Sequence, residues 1–109
     1  MTVENLTSEN FEKEALNSKI PVIIDFYADW CGPCHRMSPV FESFSDDYDG
    51  KLKFMKLDTE SEEMLAMRFG IRGIPCLVIL NKGEEVGRIV GYEGEDKLRR
   101  RIDYFLDKI

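Results

Sequence analysis

The sequence is short of several things, and each shortage excludes something. Of its 109 residues only three are cysteine. Three is odd in number and too few for the disulfide framework of a small secreted domain. No stretch approaches the ~20 consecutive apolar residues of a membrane span. The N-terminus, MTVENLTSENF, has neither a basic leader nor an apolar stretch, so it does not read as a secretory signal. Positive charge is in deficit: 15 Lys and Arg stand against 21 Asp and Glu, a net charge of −6. That balance disfavours nucleic acid and anionic membranes as partners. There is one histidine and no second CxxC, which leaves little with which to build a metal centre. No internal repeat, linker or low-complexity segment interrupts the chain. One soluble globular domain over residues 1–109, cytoplasmic, is the expectation. At 43% hydrophobic residues the chain can form an ordinary core.

What is present centres on Ile23 to Pro39, IIDFYADWCGPCHRMSP. The stretch begins as an apolar strand pattern and ends as a helical one, with Cys31 and Cys34 at the junction. If a helix starts there, residues three apart are neighbours on its first turn, at a separation a disulfide tolerates. In a strand the same pair would lie about 10 Å apart. A helix start also presents unpaired N–H groups and the positive end of the helix dipole. Both favour thiolate at Cys31, and the thiolate is the nucleophile. Pro33 is tolerated because a first-turn N–H has no intrahelical partner. Cys34, deeper in the helix, is expected to be the less exposed thiol.

CxxC alone is ambiguous. It is also half a zinc site, or two core cysteines, and with His35 it matches the CxxCH of c-type haem attachment. Zinc would need Cys31, Cys34, His35 and Cys76 together, yet adjacent Cys34 and His35 point about 100° apart on a helix. The haem pattern arrives at a strand–helix junction in a chain without an export signal. His35 is expected to face solvent, where a titrating imidazole could tune Cys31.

The remaining chain reads as alternating elements. Met1–Leu6 can hold an edge strand. Thr7 or Ser8 can cap a helix running to about Asn17. Val22–Tyr27 is a strand buried on both faces. A helix follows from about Cys34 to Tyr48, kinked at Pro39. Leu52–Asp58 is a strand, and Thr59 and Glu62 have capping-box spacing for a helix stopped by Gly70. Leu77–Leu80 and Glu85–Val90 flank a hairpin turn at Asn81–Glu84. The last helix, about Gly94–Lys108, aligns Leu98, Ile102, Phe105 and Ile109. Met55, Met64 and Met67 read as core and cover residues, and Arg99–Arg101 as a solvated face. This order gives an α/β domain of three layers with a right-handed parallel crossover and a late antiparallel hairpin.

The run WCGPC, Trp30–Cys34, resembles the active-site signature of the thioredoxin family. Asp25, Pro39, Lys56, GIRGIP at Gly70–Pro75 and Gly91 stand at spacings similar to that family's, so the resemblance spans essentially the whole chain. It implies a central mixed five-stranded sheet flanked by four helices. It implies protein-disulfide reduction through a redox-active Cys31/Cys34 pair, Cys31 the nucleophile and Cys34 the resolving thiol, with no other cofactor and no metal. Asp25 would be a buried acid below the CxxC helix, raised in pKa by desolvation and acting as general base towards Cys34. Lys56 would lie near it and restrain that rise; a solvated strand-end Asp25 and a plain surface Lys56 are the bland alternatives. The resemblance further implies a cis bond before Pro75. Trp30, Gly32, Pro33, Gly73, Ile74, Val90 and Gly91 would form a shallow apolar rim for extended protein substrates. Implied partners are disulfide-containing proteins and a thioredoxin reductase, NADPH- or ferredoxin-linked, serving electron transport and cell redox homeostasis. A monomer is expected. An oxidase or isomerase, or a non-enzymatic binding module on the same fold, are the alternatives. Two residues depart from the family pattern. Tyr27 replaces a tryptophan, and Cys76 replaces a threonine after the proline, either as an inert buried residue or as a third redox thiol.

Overall fold

The apolar run after Pro21 forms the central strand of the computed structural model, which describes residues 3–109. This strand, β2 (Val22–Tyr27), keeps the bounds its hydrophobicity predicts. Around it lie β1 (Glu4–Asn5), β3 (Lys53–Asp58), β4 (Cys76–Asn81) and β5 (Glu84–Val90). They make one sheet in the order β1-β3-β2-β4-β5. β1, β3 and β2 run parallel, while β4 and β5 are antiparallel to their neighbours. The helices are α1 (Gly32–Asp47), α2 (Glu63–Arg68) and α3 (Glu95–Leu106), with a short π-helical segment at Glu12–Leu16 as the fourth. Met1 and Thr2, the start of the expected edge strand, lie outside the described residues.

Strand alternation sends successive side chains to opposite faces and so makes two apolar layers. One packs Ile23, Leu77 and Ile79 under Met37, Phe41 and Phe44 of α1 and Leu98 and Ile102 of α3. The other packs Ile24, Phe26, Met55 and Val78 against Phe11, Ala15, Leu65 and Ala66. Asp25 shares the parity of Ile23, and so the α1 face. Cys76 shares the parity of Val78 and belongs to the other face.

The turn between β4 and β5 is two residues, Lys82 (φ 54°) and Gly83 (φ 83°). Two left-handed residues match the right-handed twist of the strands they join. Gly87, within β5, lies under the Phe105 ring of α3, and a Cβ there would sit 2.2 Å from Phe105 Cε1. Arg99 stacks on Phe44 at 4.3 Å and pairs with Asp47 at 2.8 Å, so one arginine of the basic run packs as well as being solvated.

Several expectations are corrected. α1 begins at Gly32, two residues early, and Pro39 lies inside it without ending it. Neither Thr7 nor Ser8 caps the first helical segment. Instead Asn10 Oδ1 accepts from the Thr7 N–H at 2.7 Å and organises a turn ahead of it. The Thr59–Glu62 capping box does not form. Thr59 Oγ1 donates to the Tyr27 carbonyl at 3.0 Å, and Glu62 Oε1 accepts from the Ser8 N–H at 3.0 Å. Ile109 falls beyond the end of α3 and is exposed. Met55 is buried, but Met64 and Met67 are 79% and 70% exposed. α2 is too short to turn more than Leu65 and Ala66 inward. Among the described residues no helix is long and apolar enough to cross a membrane.

Candidate active site

β2 ends at Tyr27, and a four-residue connection, Ala28 to Cys31, carries the chain into α1. Cys31 is the N-cap, in extended conformation, with its N–H donating to the Ala28 carbonyl at 3.1 Å. Gly32 and Pro33 fill the first two helical positions, where missing or free N–H groups cost nothing. The Cys34 N–H, one of the orphan donors of the helix start, points at Cys31 Sγ at 3.2 Å. The two cysteines are joined as a disulfide, their Cα atoms 5.3 Å apart. The same N–H would face a Cys31 thiolate once the bond opened. Cys34 is not the less exposed of the two. Both are 4% exposed, because Cys31 tucks its sulfur against the helix start instead of projecting from it.

Asp25 is buried beneath α1, and its Oδ1 has no hydrogen-bond partner among the described residues. Burial pushes its carboxyl from the ordinary 3.8 up to about 7, and the Lys56 charge opposes the rise. Lys56 is half-buried on β3 in register with Asp25, so it is not a plain surface lysine. Asp25, Lys56, Cys34, His35 and Ser38 line one cavity of about 200 Å³. A polar cavity of that size holds water. The carboxyl and Cys34 therefore face a common cavity large enough to admit water. Ser38 and Asp29, which also line it, had no signal in the sequence. His35 is exposed as expected, but its Nε2 donates to the Asp29 carbonyl at 2.5 Å. A carbonyl only accepts, so Nε2 is the donor in this contact.

β4 enters the sheet antiparallel to β2 at Cys76, opposite Phe26, so the loop before it reaches the same sheet end as the CxxC. The Ile74–Pro75 bond is cis. The Pro75 carbonyl accepts from the Gly91 N–H at 2.8 Å, which ties this loop to the end of β5. Neither the N–H nor the C=O of Ile74 has a partner among the described residues. Of the rim residues, Trp30 is 71% exposed, and Gly32, Gly73 and Val90 are also exposed. Pro33, Ile74 and Gly91 are half-buried. A Cβ on Gly73 would meet Val90 Cγ1 at 3.7 Å, so this loop touches the end of β5.

A second hollow, about 190 Å³, runs from Trp30 and Ile74 to Thr59, Ala66, Ile71 and Arg72. The rim inferred from sequence stopped at Ile74 and missed this extension. The apolar Ile71 inside GIRGIP was its available signal.

Cys76 is buried on the opposite sheet face from α1, among Phe26, Val78 and Leu65. Burial pushes its thiol up. The sheet therefore separates it from the Cys31–Cys34 pair, which argues against a third redox thiol and removes it from any shared metal set.

The family model described as Thioredoxin matches residues 2–104. Thioredoxin C-2 of Corynebacterium nephridii is 42% identical over 102 residues, covering 94% of each chain. Thioredoxin 1 of a Nostoc species is 37% identical, covering 93% of this chain and 94% of its own. Thioredoxin of Porphyra purpurea is 34% identical, covering 97% and 99%. With a disulfide-bonded CxxC at the start of α1, a buried carboxyl beneath it and full-length similarity to these proteins, the chain belongs to the thioredoxin family.

Proposed function

We propose that this protein is a protein-disulfide reductase whose Cys31 attacks and whose Cys34 resolves. The Cys31 thiolate attacks one sulfur of a substrate disulfide. That S–S bond breaks, the other substrate sulfur leaves as a thiolate and takes a proton, and a mixed disulfide forms. Asp25, ionised, then accepts the Cys34 proton through the shared cavity. Cys34 attacks Cys31 Sγ, and the second substrate sulfur leaves. The pair ends as the disulfide seen here, having passed two electrons to the substrate. Lys56 biases Asp25 towards its ionised form. The rim of Trp30, Gly32, Pro33, Gly73, Ile74, Pro75, Val90 and Gly91 receives the substrate chain. The unpaired N–H and C=O of Ile74 are suited to pair with it as a short added strand.

The observation that carries this reading is the Cys31–Cys34 disulfide at the helix start, with Asp25 beneath it in a common cavity. No cofactor beyond that disulfide is invoked. Electrons come from a reductase, NADPH- or ferredoxin-linked, and the setting is a monomer in the cytoplasm that carries electrons to disulfide-containing proteins.

The test is a redox titration of the pair in defined thiol buffers, read by alkylation and mass spectrometry. A potential below the glutathione poise supports a reductase. One above it indicates an oxidase or isomerase, and no reversible disulfide at all would leave only a binding module.

A further inference from the structure

The cavity beneath α1 grades from buried to exposed. Asp25, Ala28 and Cys34, all buried, line its inner end. Tyr27 and Lys56 are half-buried, and Asp29, His35 and Ser38 stand exposed at its outer end. Two of these three outer residues are tied together. His35 Nε2 donates to the Asp29 carbonyl at 2.5 Å and so joins the first turn of α1 to the loop that follows β2. It is the only hydrogen bond that Asp29 makes among the described residues. The loop's other backbone tie, from the Cys31 N–H to the Ala28 carbonyl at 3.1 Å, joins two buried residues. The exposed part of the loop is therefore held to α1 by one imidazole.

We propose that His35 is a positioning residue: by holding Asp29 against α1 it forms the outer wall of the cavity and limits the water that reaches Asp25. This rests on the reductase reading, in which Asp25 takes the Cys34 proton. A desolvated carboxylate is the stronger base, so whatever narrows the mouth of the cavity strengthens the base inside it. Few groups face the cavity with Asp25. Lys56 comes from β3, Cys34 and His35 from α1, Asp29 from the loop and Tyr27 from β2 itself. β4 sets only the apolar Leu77 opposite Asp25. The Lys56 charge opposes the rise that burial causes in the carboxyl. Loss of the imidazole would admit water and lower the carboxyl towards its ordinary range. An imidazolium that acted only through its charge would do the reverse, because it would hold the carboxyl down and its loss would raise it. The direction of the shift separates a wall from a charge.

The test compares wild type with His35→Ala and His35→Gln. Glutamine is uncharged and keeps a donor at similar reach. The Asp25 carboxyl is first titrated by carbon-13 NMR in the oxidised proteins. His35→Ala should ionise about one pH unit or more below wild type, and His35→Gln within about 0.3 of it. Decay of a Cys31 mixed disulfide is then followed by stopped flow at pH 8. It should be about threefold slower in His35→Ala, as for a base one pH unit weaker, and close to wild type in His35→Gln. An unchanged or raised carboxyl in His35→Ala would overturn the proposal. So would a carboxyl that moves as far in His35→Gln as in His35→Ala. A carboxyl that moves as expected while the decay rate holds would leave the wall in place and sink the part of Asp25 in the reductase reading instead.

Discussion

Replacing Asp25 with Asn should stabilise the protein relative to wild type progressively as pH rises from 4 to above about 7. The carboxyl ionises at about 7 in the folded chain, against 3.8 ordinarily, because burial disfavours its charge. Below pH 3.8 it is protonated in folded and unfolded chains alike and contributes no difference. Between 3.8 and about 7 the unfolded chain releases a proton that the folded chain keeps, so stability falls as pH rises. Above about 7 both states are ionised and the full cost applies. At roughly 1.4 kcal/mol per pH unit, that cost is about 4 kcal/mol. Asn removes the titration while leaving a buried polar group imperfectly satisfied, an offset of about 1–3 kcal/mol at every pH. Guanidinium unfolding of the oxidised proteins, followed by far-UV circular dichroism from pH 4 to pH 9, gives the difference directly. The oxidised form is the right one, because disulfide-bonded cysteines do not titrate. The difference should move by about 4 kcal/mol in favour of the variant across that range. A difference constant to within about 1 kcal/mol would mean that Asp25 is not desolvated as its burial indicates.

Gly87→Ala should cost about 1–3 kcal/mol by driving a Cβ into Phe105, and Phe105→Leu in the same chain should recover part of it in thermal melts. Cys76 should resist iodoacetamide in the native reduced protein while Cys31 reacts, and should label only on unfolding, as read by peptide mapping. Tyr48 donates to Asp103 at 2.5 Å, and its hydroxyl is pushed up to about 12, by burial first and then by Asp103. Tyr48→Phe should therefore lower stability by about 1–2 kcal/mol, and ultraviolet titration of the wild type should show a late-ionising tyrosine that the variant lacks.

Some of this architecture was legible because a single physical signal decided it. β2 is a β-branched apolar run broken only by Asp25, bounded by Pro21 and too short for a buried helix. The β4–β5 turn needs two left-handed residues; Gly83 takes one without strain, and Lys82 takes the other at some steric cost. The caps failed for a common reason. Thr7 and Thr59 carry oxygens that serve a turn or a neighbouring strand as readily as a helix start, and only tertiary position decides which. The exposure of Met64 and Met67 depends on α2 having barely two turns, a boundary the pattern does not set. The equal burial of Cys31 and Cys34 likewise follows from the rotation of one side chain against Cys34 N–H. The face of Cys76, by contrast, follows from strand alternation. It is one residue before Leu77, whose parity sets it opposite the layer under α1.

The cost at Asp25 has a consequence for rate. A carboxyl of ordinary pKa is a poor acceptor for a thiol proton, being several pH units too acidic, and a base is most effective when its pKa lies near working pH. Desolvation brings Asp25 to about 7, where it is substantially ionised at neutral pH and far better matched to Cys34. The destabilisation and the base strength are thus one effect seen in two states. If so, the resolving step should slow as pH falls through 7, because protonated Asp25 is far too weak a base to take the thiol proton. From pH 8 to pH 6 the ionised fraction drops by about tenfold, and the first-order decay of a Cys31 mixed disulfide should drop with it. General thiolate loss at Cys34 adds its own slope, so the informative quantity is the ratio of wild type to Asp25→Asn. That ratio should be largest above pH 7 and should shrink towards unity near pH 5. Stopped-flow measurement of mixed-disulfide decay, with the attack step saturated, isolates it. A ratio independent of pH would show that Cys34 gives its proton to solvent, leaving the buried charge without a part in the reaction.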